Sequence, residues 1–406
     1  DVAATTRTDV DGTIALTGAG TVQLDRAVVS GASVTTVGGA ITFDGAASTD
    51  TAAVAVQSGG ANVLFNSTLG LGSDLTVIAG AGAITITGAA SGAQALTLTS
   101  TGATAVAAIG TAVTPLASLT VNDTGALTLN GSVYAELIAV SPNVTLGASI
   151  TVGDLVNGAA NPDIDFAGTV GGAFDLTLTA AGETRFQGAV GPIGDGTGAS
   201  LIQAGAGTVE FASTVTTAQG ITQSGAGTIT YRDNVTVNGS GTPSAYQNSV
   251  VLDGLVYASA GDTTFGSDGT DALTLSTSDV TLGGAGAYTV NALTDGAVGL
   301  TLSGNGTKTF ADGAVIGGAI EPTGLTQAAG SGLLTLNDSA SVAGNITLNG
   351  SLTATDMTLS GTGGIAIGDA AADLFTVSAT GPVTIGGSPT SVTIAATTNL
   401  ANGLTI

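Results

Sequence analysis

The sequence predicts an all-β fold, and within that class an elongated parallel β-helix (β-solenoid) whose coils are about 20 residues long. Three observations support this fold: apolar and polar residues alternate over short segments, glycine-rich turns separate the segments, and the combined phrase recurs. The clearest instance is LIQAGAGTVEFASTV followed at once by ITQSGAGTITYRDNVTV, between Leu201 and Val237. Alternation places successive side chains on opposite faces of a strand, and glycine allows the positive φ angles of tight turns. One copy cannot bury its apolar face alone, so we expect the copies to stack.

The phrase has a fixed spacing in which a large apolar residue follows a glycine by four positions and a valine follows it by eight. Gly207, Phe211 and Val215 define these slots. The remaining instances are Gly20, Leu24 and Val28; Gly82 and Ile86; Gly125, Leu129 and Val133; Gly182, Phe186 and Val190; Gly261 and Phe265; Gly306 and Phe310, with the valine one place late at Val315; and Gly332 and Leu336. We therefore predict one repetitive solenoid over residues 1–406, with loop insertions near 157–165, 191–199 and 238–248, where Gly, Pro, Asn and Asp accumulate.

Composition favours a narrow, layered interior. Hydrophobic residues make up 43% of the chain, but aromatic residues make up only 3% and tryptophan is absent. The core must therefore consist mainly of Ala, Val, Ile and Leu. The alternative architecture, tandem β-sandwich domains, repeats near ~100 residues and packs around bulky aromatic side chains. The short repeat and the small core residues favour the solenoid over the sandwich.

The charge balance restricts the partners. Five Lys and Arg residues face 29 Asp and Glu residues, for a net charge of −24. Nucleic-acid binding is excluded, because phosphate contacts need clustered basic side chains. No apolar run approaches the roughly 18 residues of a membrane-spanning helix, so we expect none. The absence of cysteine removes disulfides and is compatible with an exported chain.

The residue inventory removes most catalytic chemistry. Without His or Cys, nucleophile–His triads, thiol catalysis and His-ligated zinc are excluded. Asp163 and Asp165 lie two apart and are expected on one strand face, as paired carboxylates are in enzymes that cleave sugars. The alternative for this pair is a solvated strand face beside a loop, and no basic residue lies nearby in sequence to hold an anionic sugar. We expect no enzymatic activity.

Two acidic segments are candidate calcium sites. Asp9 and Asp11 lie in DVDG, and Asp268 and Asp271 lie in GSDGTD. Calcium prefers several oxygen ligands gathered by a glycine-containing turn. Asp-Gly is also common turn chemistry, so simple turn formation is the alternative at both places. No other cofactor is predicted.

Aromatic residues recur at the second slot of the phrase. They are Phe186, Phe211, Tyr231, Phe265 and Phe310. An exposed aromatic ladder could bind glycans by stacking. We favour a buried ladder, because large apolar side chains at repeat positions belong in the core.

The arginines are too few and too scattered to form a patch. We expect Arg26, Arg185 and Arg232 to pair locally with the sequence neighbours Asp25, Glu183 and Asp233, for gains of about 0 to 1 kcal/mol. They are assigned no function.

The phrases LTLTAAGETRFQGAVG and LTLSGNGTKTFADGAV resemble the β-strand repeats of bacterial surface proteins, namely filamentous-haemagglutinin-like adhesins and autotransporter passenger regions. The resemblance implies a right-handed parallel β-helix displayed outside the cell, without catalytic residues. We therefore predict a non-enzymatic fibre, stalk or adhesin segment of the cell surface. The expected partners are copies of itself, glycans or a host or neighbouring cell surface.

The ends of such a fold bear on assembly. A solenoid end exposes unpaired strand edges, and neither terminal segment of the sequence shows an obvious cap. We expect the chain either to continue or to stack end to end with copies of itself. The alternative function is a calcium-dependent surface-layer or sheath subunit, held together between acidic surfaces.

Overall fold

The computed structural model describes residues 8–31, 33–154 and 162–406. Within these ranges the regular elements are β-strands without helix, and the strands pair in parallel. Stacked coils lie about 21 residues apart and form a β-solenoid of about 19 turns. The predicted parallel β-solenoid is confirmed, and the alternative of tandem sandwiches is wrong.

The chain forms two compact units. The first comprises Asp1–Asp195 with Ala204–Thr208, and the second comprises Gly196–Gln203 with Val209–Ile406. Each unit has three strand faces, which we call A, B and C; a typical coil runs from C through A to B. Because each strand is short, one coil contributes about one strand to each face.

The first unit contains twenty-six of the strands. In chain order they are β1 (Thr8–Val10), β2 (Ile14–Leu16), β3 (Val22–Leu24), β4 (Ala27–Ser30), β5 (Ser33–Thr36), β6 (Ile41–Phe43), β7 (Ala47–Asp50), β8 (Val54–Gln57), β9 (Val63–Phe65), β10 (Leu69–Leu71), β11 (Leu75–Gly80), β12 (Ile84–Ile86), β13 (Ala90–Ser91), β14 (Ala95–Ser100), β15 (Thr104–Val106), β16 (Ser118–Val121), β17 (Leu127–Leu129), β18 (Val133–Tyr134), β19 (Ile138–Val140), β20 (Val144–Leu146), β21 (Ile150–Gly153), β22 (Ile164–Phe166), β23 (Val170–Gly172), β24 (Leu176–Leu178), β25 (Thr184–Phe186) and β26 (Val190–Ile193). Face A is β3-β6-β9-β12-β15-β17-β20-β23-β26, and face C is β2-β5-β8-β11-β14-β16-β19-β22-β25. Face B is β1-β4-β7-β10-β13, continued by the bridges of Ile109 to β18-β21-β24.

The second unit repeats this plan. Its strands are β27 (Leu201–Gln203), β28 (Val209–Phe211), β29 (Val215–Thr217), β30 (Ile221–Gln223), β31 (Ile229–Tyr231), β32 (Val235–Val237), β33 (Ser244–Tyr246), β34 (Val250–Asp253), β35 (Val256–Ser259), β36 (Thr263–Phe265), β37 (Ala272–Ser276), β38 (Val280–Gly283), β39 (Tyr288–Val290), β40 (Leu293–Asp295), β41 (Gly299–Leu302), β42 (Lys308–Phe310), β43 (Gly324–Gln327), β44 (Leu334–Leu336), β45 (Ala340–Val342), β46 (Asn345–Leu348), β47 (Leu352–Ala354), β48 (Met357–Gly361), β49 (Gly364–Ile367), β50 (Leu374–Val377), β51 (Val383–Gly387), β52 (Ser391–Ile394), β53 (Thr397–Leu400) and β54 (Leu404–Thr405). Face A is β29-β32-β35-β38-β41-β43-β46-β49-β52, and face B is β27-β30-β33-β36-β39-β42-β44-β47-β50-β53. Face C is β28-β31-β34-β37-β40, continued by the bridges of Ile316 to β45-β48-β51-β54.

The core consists of identical register positions stacked from coil to coil. On face A of the first unit, Ile41, Val63 and Ile84 pair in register, and all three side chains are fully buried. The middle residue of each of these strands points outward, as the alternation predicts. Each buried aliphatic side chain contributes about 1.5–3 kcal/mol relative to an exposed one. The interior is thus a set of aliphatic columns.

The glycine of the repeated phrase is needed where coils approach closely. At the turns of the second unit, a Cβ on Gly286 would overlap the carbonyl oxygen of Gly261, and a Cβ on Gly306 would overlap that of Gly286. Gly332 stands in the same relation to Gly306. At these turns of the second unit the slot requires glycine, because no side chain fits between the stacked coils.

The polar residues that precede strands tie one coil to the next. Asp74 lies immediately before β11, and its Oδ1 accepts a hydrogen bond from the backbone N–H of Ala95 at 2.9 Å, one coil later. The other side-chain caps of this kind are Asn62 to Ala83, Asn143 to Thr169, Asn234 to Val256, Asp262 to Ala287, Asp279 to Gly299 and Asn345 to Gly364. Many of the turn Asn and Asp residues thus have a structural role as acceptors for backbone donors that would otherwise be unsatisfied.

The inserted segments differ from the predicted ones in detail. Near 157–165, residues 155–161 lie outside the described residues, and Asp165 already belongs to β22. Near 191–199, the turn after β26 extends to β27. Near 238–248, a turn at 238–243 leads into β33. Two further insertions, at 110–117 and 317–323, each contain a proline, Pro115 or Pro322, but no Asn or Asp, and they were not predicted.

Candidate functional site

The predicted calcium residues lie in two separate places. Asp9 is exposed on β1, and Asp11 is exposed in the turn that follows. In the second unit, Asp271 Oδ2 accepts hydrogen bonds from Ser267 N at 2.7 Å and Ser267 Oγ at 2.9 Å. Asp268 Oδ1 accepts from Thr270 N at 2.8 Å and from Thr270 Oγ1 at 2.6 Å.

These hydrogen bonds mean that Asp268 and Asp271 close their own turn. Donation by the Thr270 hydroxyl, and secondarily by its N–H, lowers the pKa of Asp268. Among residues 8–31, 33–154 and 162–406, no group of three or more His, Cys, Asp or Glu side chains is placed to hold a metal ion. Calcium at the four predicted residues stays a prediction.

The two carboxylates of NPDIDF point to opposite sides of the coil wall. Asp163 lies before β22 and is 1% exposed, whereas Asp165 points outward from the middle of β22. Both Asp165 oxygens accept from Gln187 Nε2, at 2.9 and 2.8 Å. The prediction that the two carboxylates share one face is wrong, because the turn directs Asp163 inward before the regular alternation begins.

The aromatic ladder is a core feature. Phe186, Phe211, Tyr231, Phe265 and Phe310 are each at most 1% exposed. The predicted buried ladder is confirmed, and these rings present no face to a glycan. Phe211 and Tyr231 stack with ring centroids 5.2 Å apart, within the range of favourable aromatic pairs.

Buried tyrosines form a hydroxyl chain in the second unit. The hydroxyls of Tyr231 and Tyr246 lie 3.0 Å apart, and those of Tyr246 and Tyr257 lie 3.0 Å apart. Tyr288 donates to the Tyr257 carbonyl at 3.0 Å. Burial raises the pKa of all four phenols. The tyrosines therefore stay neutral where exposed phenols ionise.

The only lysine of the sequence, Lys308, is buried at 1% exposure. Its Nζ donates to the carbonyl oxygens of Gly304 and Gly306, each at 2.7 Å, and lies 6.0 Å from the Tyr288 ring centroid. Burial lowers the pKa of Lys308 to about 8. The amine thus satisfies turn carbonyls that face the interior.

Two glutamines have the same role as this lysine. Gln327 Nε2 donates to Gly332 O at 2.9 Å, and Gln223 Nε2 donates to Gly227 O at 2.6 Å. The role of these glutamines was not predicted from the sequence. The sequence feature that indicates it is a polar residue at an inward strand position directly before a glycine-rich turn.

The first unit satisfies inward carbonyls with hydroxyl groups. Ser58 Oγ donates to Ala79 O at 3.2 Å, and Ser100 Oγ donates to Gly82 O at 2.7 Å. Ser58 lies two residues after Val56, an inward residue of β8, and Ser100 lies two residues after Leu98, an inward residue of β14.

Asp123 follows in the next coil of the first unit. Leu98 and Val121 pair in register. Asp123 lies two residues after Val121, and Ser100 lies two residues after Leu98, so Asp123 and Ser100 occupy equivalent positions in neighbouring coils. Asp123 is 4% exposed, and its carboxylate lies beside the Thr104 hydroxyl and the Ser100 backbone. Burial raises the pKa of Asp123, because a charged carboxylate is costly to bury, and interactions with Thr104 and the Ser100 backbone oppose that shift in part.

The arginine that pairs most clearly does so across coils. Arg232 contacts Glu210 and Asp253, each at 2.9 Å. Its pKa is raised, most strongly by the hydrogen bond to Glu210. The predicted pairing with Asp233 is wrong, because Asp233 Oδ1 accepts from the backbone N–H of Asn234 instead.

Across the part of the chain that the structure describes, no helix is long and apolar enough to span a membrane. No protein-family model, curated protein or solved structure matches the chain. The structural comparison that stands is therefore one of architecture: the chain is a parallel β-solenoid, consistent with β-helix repeat proteins.

Proposed function

We propose that this protein is a non-enzymatic structural component of the bacterial cell surface, a fibre, stalk or adhesin segment that associates end to end with copies of itself. The observation that carries the proposal is the stack of parallel coils, in which backbone ladders and aligned buried side chains join each coil to the next. In the coil that contains Leu400 this side chain is 48% exposed, whereas Val377, its register partner one coil earlier, is fully buried.

The strands of this coil have a partner on one side only. β52 pairs with β49, β53 with β50, and β54 with β51. Val392 and Ile394 are half-buried, although their register partners Ile365 and Ile367 are buried. A further coil would complete the backbone ladder and cover these side chains. The same contact made by a second copy of the chain is head-to-tail, and contacts of this kind generate open filaments.

The rest of the molecule supports a structural role. Turn carboxylates accept backbone hydrogen bonds, the central arginine is held by two acids, and the aromatic rings are buried. The resemblance to bacterial surface repeats supports a location outside the cell. The chain therefore uses its polar groups for coil-to-coil cohesion.

Sedimentation velocity and electron microscopy of the 406-residue chain test end-to-end association. We expect wild-type filaments and their loss in Leu400→Asp, because an inward-pointing charge blocks strand addition at an edge. Val256→Asp is the matched control, since Val256 is 43% exposed on β35 and away from the last coil. A monodisperse wild-type monomer at high concentration would overturn the proposal.

The second candidate is a calcium-dependent surface-layer or sheath subunit. The observation that favours it is a shallow acidic cleft in the second unit, lined by Asp312, Asn337, Asp338, Thr355, Asp356 and Thr380. Calcium between such clefts on neighbouring copies would offset part of the charge of −24. Sheets that dissolve in chelator would support this candidate, whereas filaments that survive chelator would support the first.

A further inference from the structure

A cleft opens on the surface of the first unit, at the corner where face A leads into face B. Its volume is about 550 Å³, within the range of about 300–1,000 Å³ that sites for small ligands occupy. The lining comes from three consecutive coils. Its polar residues are Asp25, Arg26, Ser48 and Ser67, and its apolar residues include Val28 and Ala46. Charged groups, hydroxyls and methyl groups thus share one recess.

The cleft lies where one corner of the coil wall is shorter than the corners that follow it. Two residues, 25–26, join β3 to β4, whereas three residues, 44–46, join β6 to β7 and three, 66–68, join β9 to β10. The strands on both sides of the short corner still pair in register with those of the next coil. The short corner therefore projects less than its neighbours, and a step forms between them.

Arg26 has an unusual backbone conformation at this short corner. Its φ is 48°, in the left-handed region that residues with a side chain rarely adopt. A Cβ on Gly45, in the next coil, would overlap Asp25 Oδ1 and Arg26 Cγ, so both charged side chains lie against bare backbone. Strained residues persist where the surrounding structure fixes them, and they cluster at ligand sites. The corner thus holds the two charged groups in place on the wall of the cleft.

The fold itself does not use these two charged groups. Asp44 stands at the position of Asp25 one coil later, and its carboxylate accepts hydrogen bonds from Gln23 and Asn66. Among the residues that the structure describes, the side chains of Asp25 and Arg26 make neither a hydrogen bond nor an ion pair. The predicted pair of Arg26 with Asp25 therefore does not form, and both groups are available to a ligand.

The chemistry of the lining fits a neutral sugar. Arginine only donates hydrogen bonds, ionised aspartate only accepts them, and serine hydroxyls do both. The hydroxyls of Ser48 and Ser67 also make no hydrogen bond within the described ranges. A pyranose ring has hydroxyl groups around its edge that donate and accept, and its C–H groups can contact Val28 and Ala46. An anionic ligand is less suited, because Asp25 lies beside it and the chain carries a net charge of −24.

We propose that this cleft binds one neutral sugar unit of a glycan, with Arg26 donating to its hydroxyl groups, Asp25 accepting from them, and Ser48 and Ser67 completing the contacts. The proposal rests on the adhesin part of the proposed function and names its ligand class, but it does not require end-to-end association. A single ring held by partly exposed groups should bind weakly, with a Kd of about 1 mM. Copies joined in a fibre would raise the apparent affinity for a polymeric glycan.

Saturation-transfer difference NMR of the 406-residue chain with the methyl glycosides of glucose, galactose and mannose tests the site, and titration of the strongest binder gives its Kd. We expect Arg26→Gly to weaken binding at least tenfold while the corner stays folded, because glycine suits a φ of 48°. Ala46→Phe should abolish binding by filling the cleft. Ala89→Phe is the matched control, since Ala89 is the equivalent exposed corner residue two coils later.

An acidic sugar distinguishes the two classes of ligand. Methyl glucuronide should bind more weakly than methyl glucoside, and Asp25→Asn should narrow that difference because it removes the nearby negative charge. Tighter binding of the glucuronide by the wild type would overturn the neutral ligand. No saturation transfer to any of the three neutral glycosides, or equal binding by wild type and Arg26→Gly, would overturn the site. Because these probes are single sugars, filaments that bind none of them would leave end-to-end association standing.

Discussion

The two units have the same coil but different interiors. The first unit satisfies inward turn carbonyls with serine hydroxyls and places Asp123 at an equivalent position. The second unit also uses a serine hydroxyl, that of Ser259, but adds the longer donors Gln223, Gln327 and Lys308 and a chain of buried tyrosines. The comparison shows that coil geometry requires a donor at these turns without fixing its chemistry. Substitutions at Lys308 and Asp123 test that conclusion, and substitutions at the slot glycines and at Arg232 test other parts of the comparison between the units.

Substitution of a slot glycine should have the largest effect, and the effect should be the same in both units. Gly306→Ala places a methyl group on the carbonyl oxygen of Gly286, and Gly125→Ala does so on that of Gly102. We expect each to lower the free energy of unfolding by roughly 3 kcal/mol, the upper range of overpacking. Gly18→Ala, with no atom near the added methyl group, is the control. Chemical denaturation measures all three, and a mild effect of Gly306→Ala would disprove the close-approach account.

Lys308 should give the second unit its own pH dependence. Its folded pKa of about 8 lies below the ordinary value of 10.5, so between these values the unfolded chain binds more protons. Stability should therefore rise as the pH increases from 8 towards 10. Above about pH 10 it should fall, because the buried tyrosines keep protons that unfolded tyrosines lose.

The matched variants for this prediction are Lys308→Met and Lys308→Gln. Both should abolish the rise between pH 8 and 10. Lys308→Met leaves two turn carbonyls without a donor and should cost about 1–3 kcal/mol at pH 9, whereas Lys308→Gln should recover part of that loss. Thermal unfolding across this pH range is the measurement, and an unchanged pH profile in Lys308→Met would contradict the assignment.

Asp123→Asn should place a side-chain amide donor in the first unit, where the second unit has those of Gln223 and Gln327. The raised pKa of Asp123 means that the folded chain holds a proton more tightly than the unfolded chain. Its stabilising contribution is present at low pH and is lost as the pH rises through the folded pKa. The asparagine variant should remove this dependence and gain about 1 kcal/mol at neutral pH. Hydrogen exchange in residues 100–125 measures the effect, and faster exchange in Asp123→Asn at neutral pH would contradict the inference that burying this carboxylate is costly.

The smallest effect is expected at Arg232, whose side chain is 47% exposed. Arg232→Met should cost at most about 1 kcal/mol, and high salt should reduce the difference from wild type. Glu210→Gln and Asp253→Asn each remove one of the two ion pairs of Arg232 and measure its separate contribution to the free energy of unfolding. Denaturation at two salt concentrations measures the cost, and a loss that does not respond to salt would indicate packing by the aliphatic stem instead.

The fold was predictable because its determinants are local. Alternation, the glycine slot and the recurring aromatic position can all be read within one phrase of the sequence. Phe211 and Tyr231 were placed in the core on that basis, and they lie there. The stacking of coils then follows from chain continuity, since each phrase can bury its apolar face only against the next.

The contacts of individual polar residues were less predictable because they join coils. Arg232 meets Glu210 and Asp253, which lie 22 and 21 residues away, rather than the adjacent Asp233. Asp123 belongs to NDTG, whose composition is typical of an exposed turn, yet the corner directs its side chain inward. Asp163 was misplaced for the same reason. Local rules describe strands well, but the direction of a corner residue depends on where the coil turns.

The side-chain caps between coils also give the molecule a direction. In Asn62 to Ala83, Asp74 to Ala95 and the similar pairs, the acceptor belongs to the earlier coil and the donor N–H to the later one. A completed coil therefore offers a template of waiting acceptors and strand edges to the segment that follows it in the sequence. Adding a coil requires closing a loop of only about 20 residues, so each step is fast. The caps favour vectorial folding, in which an emerging chain winds onto the structure already formed.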